Sequence, residues 1–272
     1  MFVDLPEDLR TAIDSARDAL GPYAAVHYAE EVDSTNDLAL AMVGAGHPAG
    51  TSVLADLQRK GRGRRGRSWH SPPAAGLYLS VIVRPAVIDT RVSLVTLAAG
   101  TAMAAAVTRT TGLPVELKWP NDLVIGRPWR KLGGVLTEAS VHAGRMEGIV
   151  LGMGMNLQPS SYPPDLAGLA SSLESELGRP VLRSDILVAV LEELRRMMDL
   201  FESGGDGAVA AAWQRFGGRA TEGAAIRWAG PTGDRVGRAR GVAPDGALLV
   251  DVDGVRERII AGEVHWEDRG RA

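Results

Sequence analysis

At 272 residues the chain is long for one domain and short for two full-sized ones, and with 45% hydrophobic residues it can bury a core. Its formal charge of -3 leaves no global basic field to draw it onto nucleic acid or a membrane surface, so any cationic site must be local. The absence of cysteine excludes thiolate catalysis, disulfides and cysteine-bound metal, and the five histidines show no paired ligand spacing.

The first ten residues carry Asp4, Glu7 and Asp8 and lack the basic-then-apolar order of a signal peptide. A cytoplasmic location is expected. Pro6 to Leu20 predicts one short helix, with Leu9, Ile13 and Ala16 at helical spacing. One helix is too little for a helix-turn-helix, so residues 1–25 are expected to be a helical extension, removable to Leu20 without loss of activity and with no role in DNA binding. Val26–Val32 predicts a strand running into Asp33-Ser34-Thr35-Asn36, side chains suited to capping a helix whose apolar face is Leu38, Met42 and Val43. Thr51–Ala55 and Leu77–Val83 predict strands, separated by a polar, glycine-rich loop of about 20 residues, longer than a compact domain usually keeps without a use for it. Val92–Thr110 predicts an alanine-rich helix ended by Gly112 and Pro114; Ser93, Thr96 and Thr101 interrupt it, and it is expected to be buried rather than to span a membrane. Strands follow at Val115–Trp119, Leu132–Ala139 and Met146–Gly152, then a proline-rich stretch. Helices are expected at Ser184–Ser203, with one continuous apolar stripe, and at Ala208–Phe216.

Beyond about residue 220 the pattern becomes short strands, Ile226–Trp228, Val236–Val242, Ala247–Val252 and Val255–Ile260, divided by turn signals such as Pro231-Thr232-Gly233-Asp234 and Pro244-Asp245-Gly246. The expected fold class is α+β: a mixed sheet packed by helices over residues 26–220, then a small SH3-like β-barrel over 221–272.

Four segments carry chemistry. Arg59 to Arg67 holds six cations in nine residues, with Gly61, Gly63 and Gly66 among them and Trp69 at the exit. Guanidinium forks beside glycine backbone suit a polyanion such as a triphosphate, and mutual repulsion predicts mobility until an anion arrives. A solvated surface loop or a nucleic-acid patch is the competing reading, and no GK[ST] closes the segment as a Walker A motif. Lys118-Trp119-Pro120-Asn121-Asp122 ends a strand, where the lysine could meet two anionic groups at once or the segment could be an ordinary turn. Gly152-Met153-Gly154-Met155-Asn156 suggests close backbone approach, and Ser34-Thr35-Asn36 either a helix cap or ligands for a small polar ring.

In this order and spacing the four segments, with Gln58 and Lys131-Leu132-Gly133-Gly134-Val135-Leu136-Thr137-Glu138, resemble the biotin protein ligase family. Arg59-Lys60 departs from the resemblance, since small or neutral residues are usual there. The resemblance implies biotin and ATP as substrates, Mg²⁺ with the ATP, a biotinyl-5′-adenylate intermediate, and transfer to a lysine of a biotin carboxyl carrier protein. It implies biotin contacts from Ser34, Thr35, Asn36, Gln58, Arg62, Gly63, Arg64 and Lys118, catalytic roles for Lys118 and Arg64, and nucleotide contacts from Arg65, Trp69 and Asn156. Metal ligands and acceptor identity stay open, and a homodimer is compatible with it. Lipoate or octanoate ligation is the neighbouring alternative; a nucleic-acid-binding module is the distant one, disfavoured by overall acidity.

Overall fold

The computed structural model describes residues 2–84, 92–203, 206–230 and 233–266; Pro231 and Thr232 of the turn named above fall outside them. The elements in chain order are α1 (Glu7–Ser15), α2 (Arg17–Leu20), β1 (Val26–Val32), α3 (Thr35–Gly44), β2 (Ser52–Gln58), β3 (Gly76–Val83), α4 (Val92–Thr111), β4 (Glu116–Lys118), β5 (Asp122–Ile125), β6 (Arg130–His142) and β7 (Arg145–Asn156). These are followed by α5 (Leu173–Leu177), α6 (Arg183–Ser203), α7 (Asp206–Thr221), β8 (Ala225–Gly230), β9 (Gly233–Val242), β10 (Leu248–Val252), β11 (Val255–Ile259) and β12 (Val264–Trp266).

The first sheet has the order β1-β2-β3-β7-β6-β5-β4. Only β1 and β2 pair in parallel, because α3 carries the chain back across the sheet between them; the remaining pairs are antiparallel. β3 is buried along its whole length, which is why its sequence is an almost unbroken apolar run. Its odd residues Leu77, Leu79, Val81 and Val83 enter the main core with α4 and α6, while Ile82 packs with Val53, Val150 and α3 on the opposite face. α4 passes for a membrane span by length and composition, yet Leu94, Leu97, Met103 and Val107 are all buried in that core. The second sheet is antiparallel, of order β11-β10-β9-β8-β12, and forms the small β-domain expected after residue 220. It is tied to the first sheet through buried Trp119, whose indole N–H donates to Gly246 O at 3.0 Å, while Gly246 packs on Leu94 and Leu97.

Three expectations need correction. The N-terminal helix breaks at Ala16 (φ -99°, ψ 6°), and Leu9, Ile13 and Leu20 all sit in the main core. Arg195 of α6 donates to the carbonyls of Asp18 and Ala19 at 3.0 and 2.7 Å. The segment is therefore a wall of the core, and its removal would open that core to water. Second, β5 grows directly out of what the sequence suggests is a turn, since only four residues separate Pro120-Asn121 from Gly126. Third, α5 was not foreseen, although Ser172 caps it by accepting from Ser175 N at 3.2 Å and left-handed Gly178 ends it.

Candidate functional site

Period-two alternation in the central strands builds the floor of a cavity of about 640 Å³. Along β7, Met153 and Met155 point into the core, while Gly152, Gly154 and Asn156 face the cavity. Gly154 pairs with Tyr78 on one side and Gly134 on the other, and Gly152 pairs with Ser80 and Leu136. Helix α3 covers part of this face and leaves the rest open. The two glycines are required by close approach: a Cβ on Gly152 would lie 2.3 Å from Asn36 Oδ1, and one on Gly154 2.8 Å from Trp69 Cε2.

One end of the cavity is a buried polar pocket. Ser34, at the N-cap position of α3, makes no capping bond, and its residue lines the cavity with Thr35 and Asn36. Gln58 Oε1 accepts from Thr35 N at 3.0 Å, and Gln58 Nε2 donates to Ser71 Oγ at 2.9 Å. Asn36 Nδ2 donates to Glu138 Oε2 at 2.6 Å, and the Ser80 hydroxyl lies 2.5 Å from Asn36 Oδ1. Thr35, Asn36, Ser71 and Ser80 are each under 5% exposed, and the network's hydrogen bonds are made among its own side chains and backbone.

The basic loop is a tight hairpin. Trp69 N donates to Gly61 O at 2.8 Å and Gly63 N to Arg67 O at 2.7 Å, with Arg65 (φ 57°) and Gly66 (φ 72°) at the tip. The repulsion expected from six cations is met residue by residue. Arg59 pairs with Glu31, Lys60 with Asp33 at 2.7 Å, and Arg62 with Asp37 at 2.7 Å and Glu138 at 3.0 Å. Arg65 and Arg67 reach Glu263, the residue before β12, and chiefly Arg67 holds that carboxyl below its ordinary range. Half-buried Arg64 donates to Asn121 Oδ1 at 3.2 Å and Gly262 O at 3.3 Å; burial pushes its guanidinium down. Burial also works against the Arg62 charge, but Asp37 and Glu138 outweigh it and raise that guanidinium above its ordinary value.

The other end is aromatic and cationic. Lys131 Nζ pairs with Asp122 Oδ1 at 2.6 Å and lies 5.5 Å from the Trp69 ring centroid. The Trp69 indole N–H is buried without a protein partner among the described residues, a donor that a ligand acceptor would satisfy. Lys118 lines the cavity with its Nζ 5.5 Å from the Trp129 centroid, and Trp129 meets Trp266 edge-on at 5.9 Å. Asn156 Nδ2 donates to Ser171 O at 2.9 Å, so this amide nitrogen holds the wall beside Lys131. Such an arrangement suits a ligand with a small polar ring at one end, an anionic centre near Arg64 and Lys118, and a flat base at the other.

The model of the biotin/lipoate A/B protein ligase family matches residues 28–156, and that of the biotin protein ligase C-terminal domain matches residues 223–265. The biotin--[acetyl-CoA-carboxylase] ligase of Mycobacterium tuberculosis is 32% identical over 269 residues, covering 95% of each chain. The chain belongs to the biotin protein ligase family. The bifunctional ligase/repressor BirA of Bacillus subtilis is 28% identical over 240 residues, which is 87% of this chain and 72% of that protein. The biotin protein ligase of Aquifex aeolicus, solved with biotin and ATP, superposes with a TM-score of 0.77 at 26% identity, covering 89% of this chain and 98% of that one.

All the site residues expected from this ligase sequence line the one cavity: Ser34, Thr35, Asn36, Gln58, Arg62, Gly63, Arg64, Arg65, Trp69, Lys118 and Asn156. Within it the Arg62 side chain is turned to Asp37 and Glu138, so it anchors the loop. Residues not singled out in the sequence as ligands include Ser71, Ser80, Asp122, Lys131, Glu138 and Glu263. Ser80 had a readable signal, a lone hydroxyl inside the run Leu77–Val83; Glu263 had none, since its place depends on how the two sheets pack.

Proposed function

We propose that this ligase activates biotin with ATP and passes it to a lysine of a biotin carboxyl carrier protein. The observation that carries this reading is the continuity of the polar pocket with the cationic, indole-lined end in a single cavity. A ureido ring in the pocket of Ser34, Thr35 and Gln58 directs the acyl chain towards Arg64 and Lys118. One carboxylate oxygen then attacks the α-phosphorus, the bond to the bridging oxygen breaks, and pyrophosphate leaves. Lys118 and Arg64 neutralise the repulsion between carboxylate and phosphate, while Trp69 and its wall hold the base. In the second step the acceptor amine attacks the acyl carbon, AMP leaves, and the ammonium loses its proton.

Mg²⁺ would enter with the triphosphate and offset its charge, as this ion is commonly held by phosphates plus one or two carboxylates. Asp122 and Glu263 are the cavity carboxylates that could serve; no cluster of three acidic or histidine ligands occurs among the described residues. Lys118→Ala tests the reading: ATP–pyrophosphate exchange driven by biotin should fall about 10²–10³-fold, the usual cost of one preorganised charge-stabilising group. Biotin affinity, read by calorimetry, should change by a much smaller factor. Near-normal exchange would overturn the assignment, and exchange driven by lipoate instead of biotin would redirect it to the neighbouring substrate class.

A further inference from the structure

We propose that Trp129, which stands outside the cavity, is a positioning residue that holds the Lys118 ammonium where carboxylate and α-phosphate meet, an inference that rests on the reading of Lys118 as a charge-neutralising group. β4 sends Leu117 into the core and leaves Glu116 and Lys118 together on its other face. The turn between β5 and β6, Gly126 to Trp129, folds over that face and meets both side chains. Arg127 donates to Glu116 Oε2 at 2.6 Å, and the Trp129 ring takes Lys118, whose Nζ lies 5.5 Å from its centroid. Asp122, the partner of Lys118 across β4 and β5, pairs its carboxylate with Lys131 at 2.6 Å.

A lysine carries its point charge on a flexible four-carbon stem, so the ammonium needs a fixed neighbour to keep one direction. The face of an indole is negative and attracts such a cation within about 6 Å of its centre. The ring offered to Lys118 is itself held. Arg127 lies over it at 4.7 Å, with the guanidinium charge met by Glu116. Trp266 of β12, which lines the cavity, meets it edge-on at 5.9 Å and 75°. The second sheet thereby bears on the reacting charge through one ring-to-ring contact: Trp266 steadies Trp129, and Trp129 steadies Lys118. Trp129 does not itself line the cavity, so its contribution to the reaction passes through that lysine.

The test is a double-mutant cycle on biotin-driven ATP–pyrophosphate exchange at saturating substrates. Trp129→Leu should slow exchange about 3- to 30-fold, the range that cation–π contacts span, and change biotin affinity, read by calorimetry, by about twofold or less. In a Lys118→Ala background the same substitution should cost about twofold or less, because the charge it held is gone. A merely structural role would cost the same factor in both backgrounds. A second arm places tryptophan trifluorinated on its benzo ring at position 129, which keeps the shape of the side chain and withdraws its negative face. That protein should slow exchange within the same range while melting like the wild type. Equal losses in the two backgrounds, or unchanged exchange in the folded leucine variant or the fluorinated protein, would overturn the inference. Near-normal exchange by Lys118→Ala, read with Trp129 intact, would instead overturn the reading of the lysine beneath it.

Discussion

A single methyl group on β7 should separate the two ends of the cavity. In Gly154→Ala the new carbon would sit 2.8 Å from Trp69 Cε2 and 2.9 Å from Nε1. Carbon–carbon contacts settle at about 3.5–4.0 Å, so the indole must retreat by roughly 0.7 Å or more. The strand cannot yield instead, because Gly154 is paired on both sides, with Tyr78 and with Gly134. Overpacking of this kind commonly costs about 1–3 kcal/mol, and a displacement near 1 Å at a binding group can cost about 10²-fold in rate. KM for ATP should therefore rise about 10- to 100-fold, while biotin affinity stays within about threefold. Gly152→Ala should do the reverse: its methyl would lie 2.3 Å from Asn36 Oδ1, in a side chain held by Glu138 and Ser80. Pyrophosphate exchange at varied ATP, with calorimetry for biotin, measures both constants. If the two variants raise the same constant, or Gly154→Ala leaves KM for ATP unchanged, the division of the cavity along β7 is wrong.

Three further outcomes are expected. Arg64→Ala removes the half-buried guanidinium between Asn121 and Gly262, so activated biotin should escape and label lysines on bystander proteins; unchanged retention would limit this arginine to steering ATP inward. Leu9→Ala should cost about 2–5 kcal/mol in urea unfolding, since Leu9 is 1% exposed in the main core, and deletion of residues 1–20 should cost more; a truncation as stable as the full chain would refute the core role of this segment. Burial, and to a lesser degree His47, keeps His27 below its usual 6.5, so the unfolded chain binds the proton more readily. That contribution to stability is full above about pH 6.5 and is lost as pH falls from there through the folded value. The melting temperature of His27→Gln should then decline less between pH 7.5 and 5.5 than that of the wild type, and parallel declines would exclude His27 as the cause.

Local spacing was enough to recognise most elements and four of the segments that reach the cavity, though not residues 161–170 or 262–266. Period-two alternation marks β7, and a stripe from Ile186 to Phe201 marks α6, because a face that must be buried writes its own period into the chain. The residue types of the site were legible for a related reason: Ser34-Thr35-Asn36, Arg59 to Trp69 and Lys118 to Asp122 are polar or charged where a plain core or turn has no use for them. Other features depended on contacts between residues far apart in sequence. The partners of the Arg62 guanidinium, Asp37 and Glu138, cannot be read from local sequence, and residues 1–25 look separable until Leu9 meets α6. Glu263 reaches Arg65 and Arg67 across nearly 200 positions. A sequence states what each side chain can donate, accept or bury; which partner takes the bond is decided when the sheets pack and water is driven out of the choices that remain.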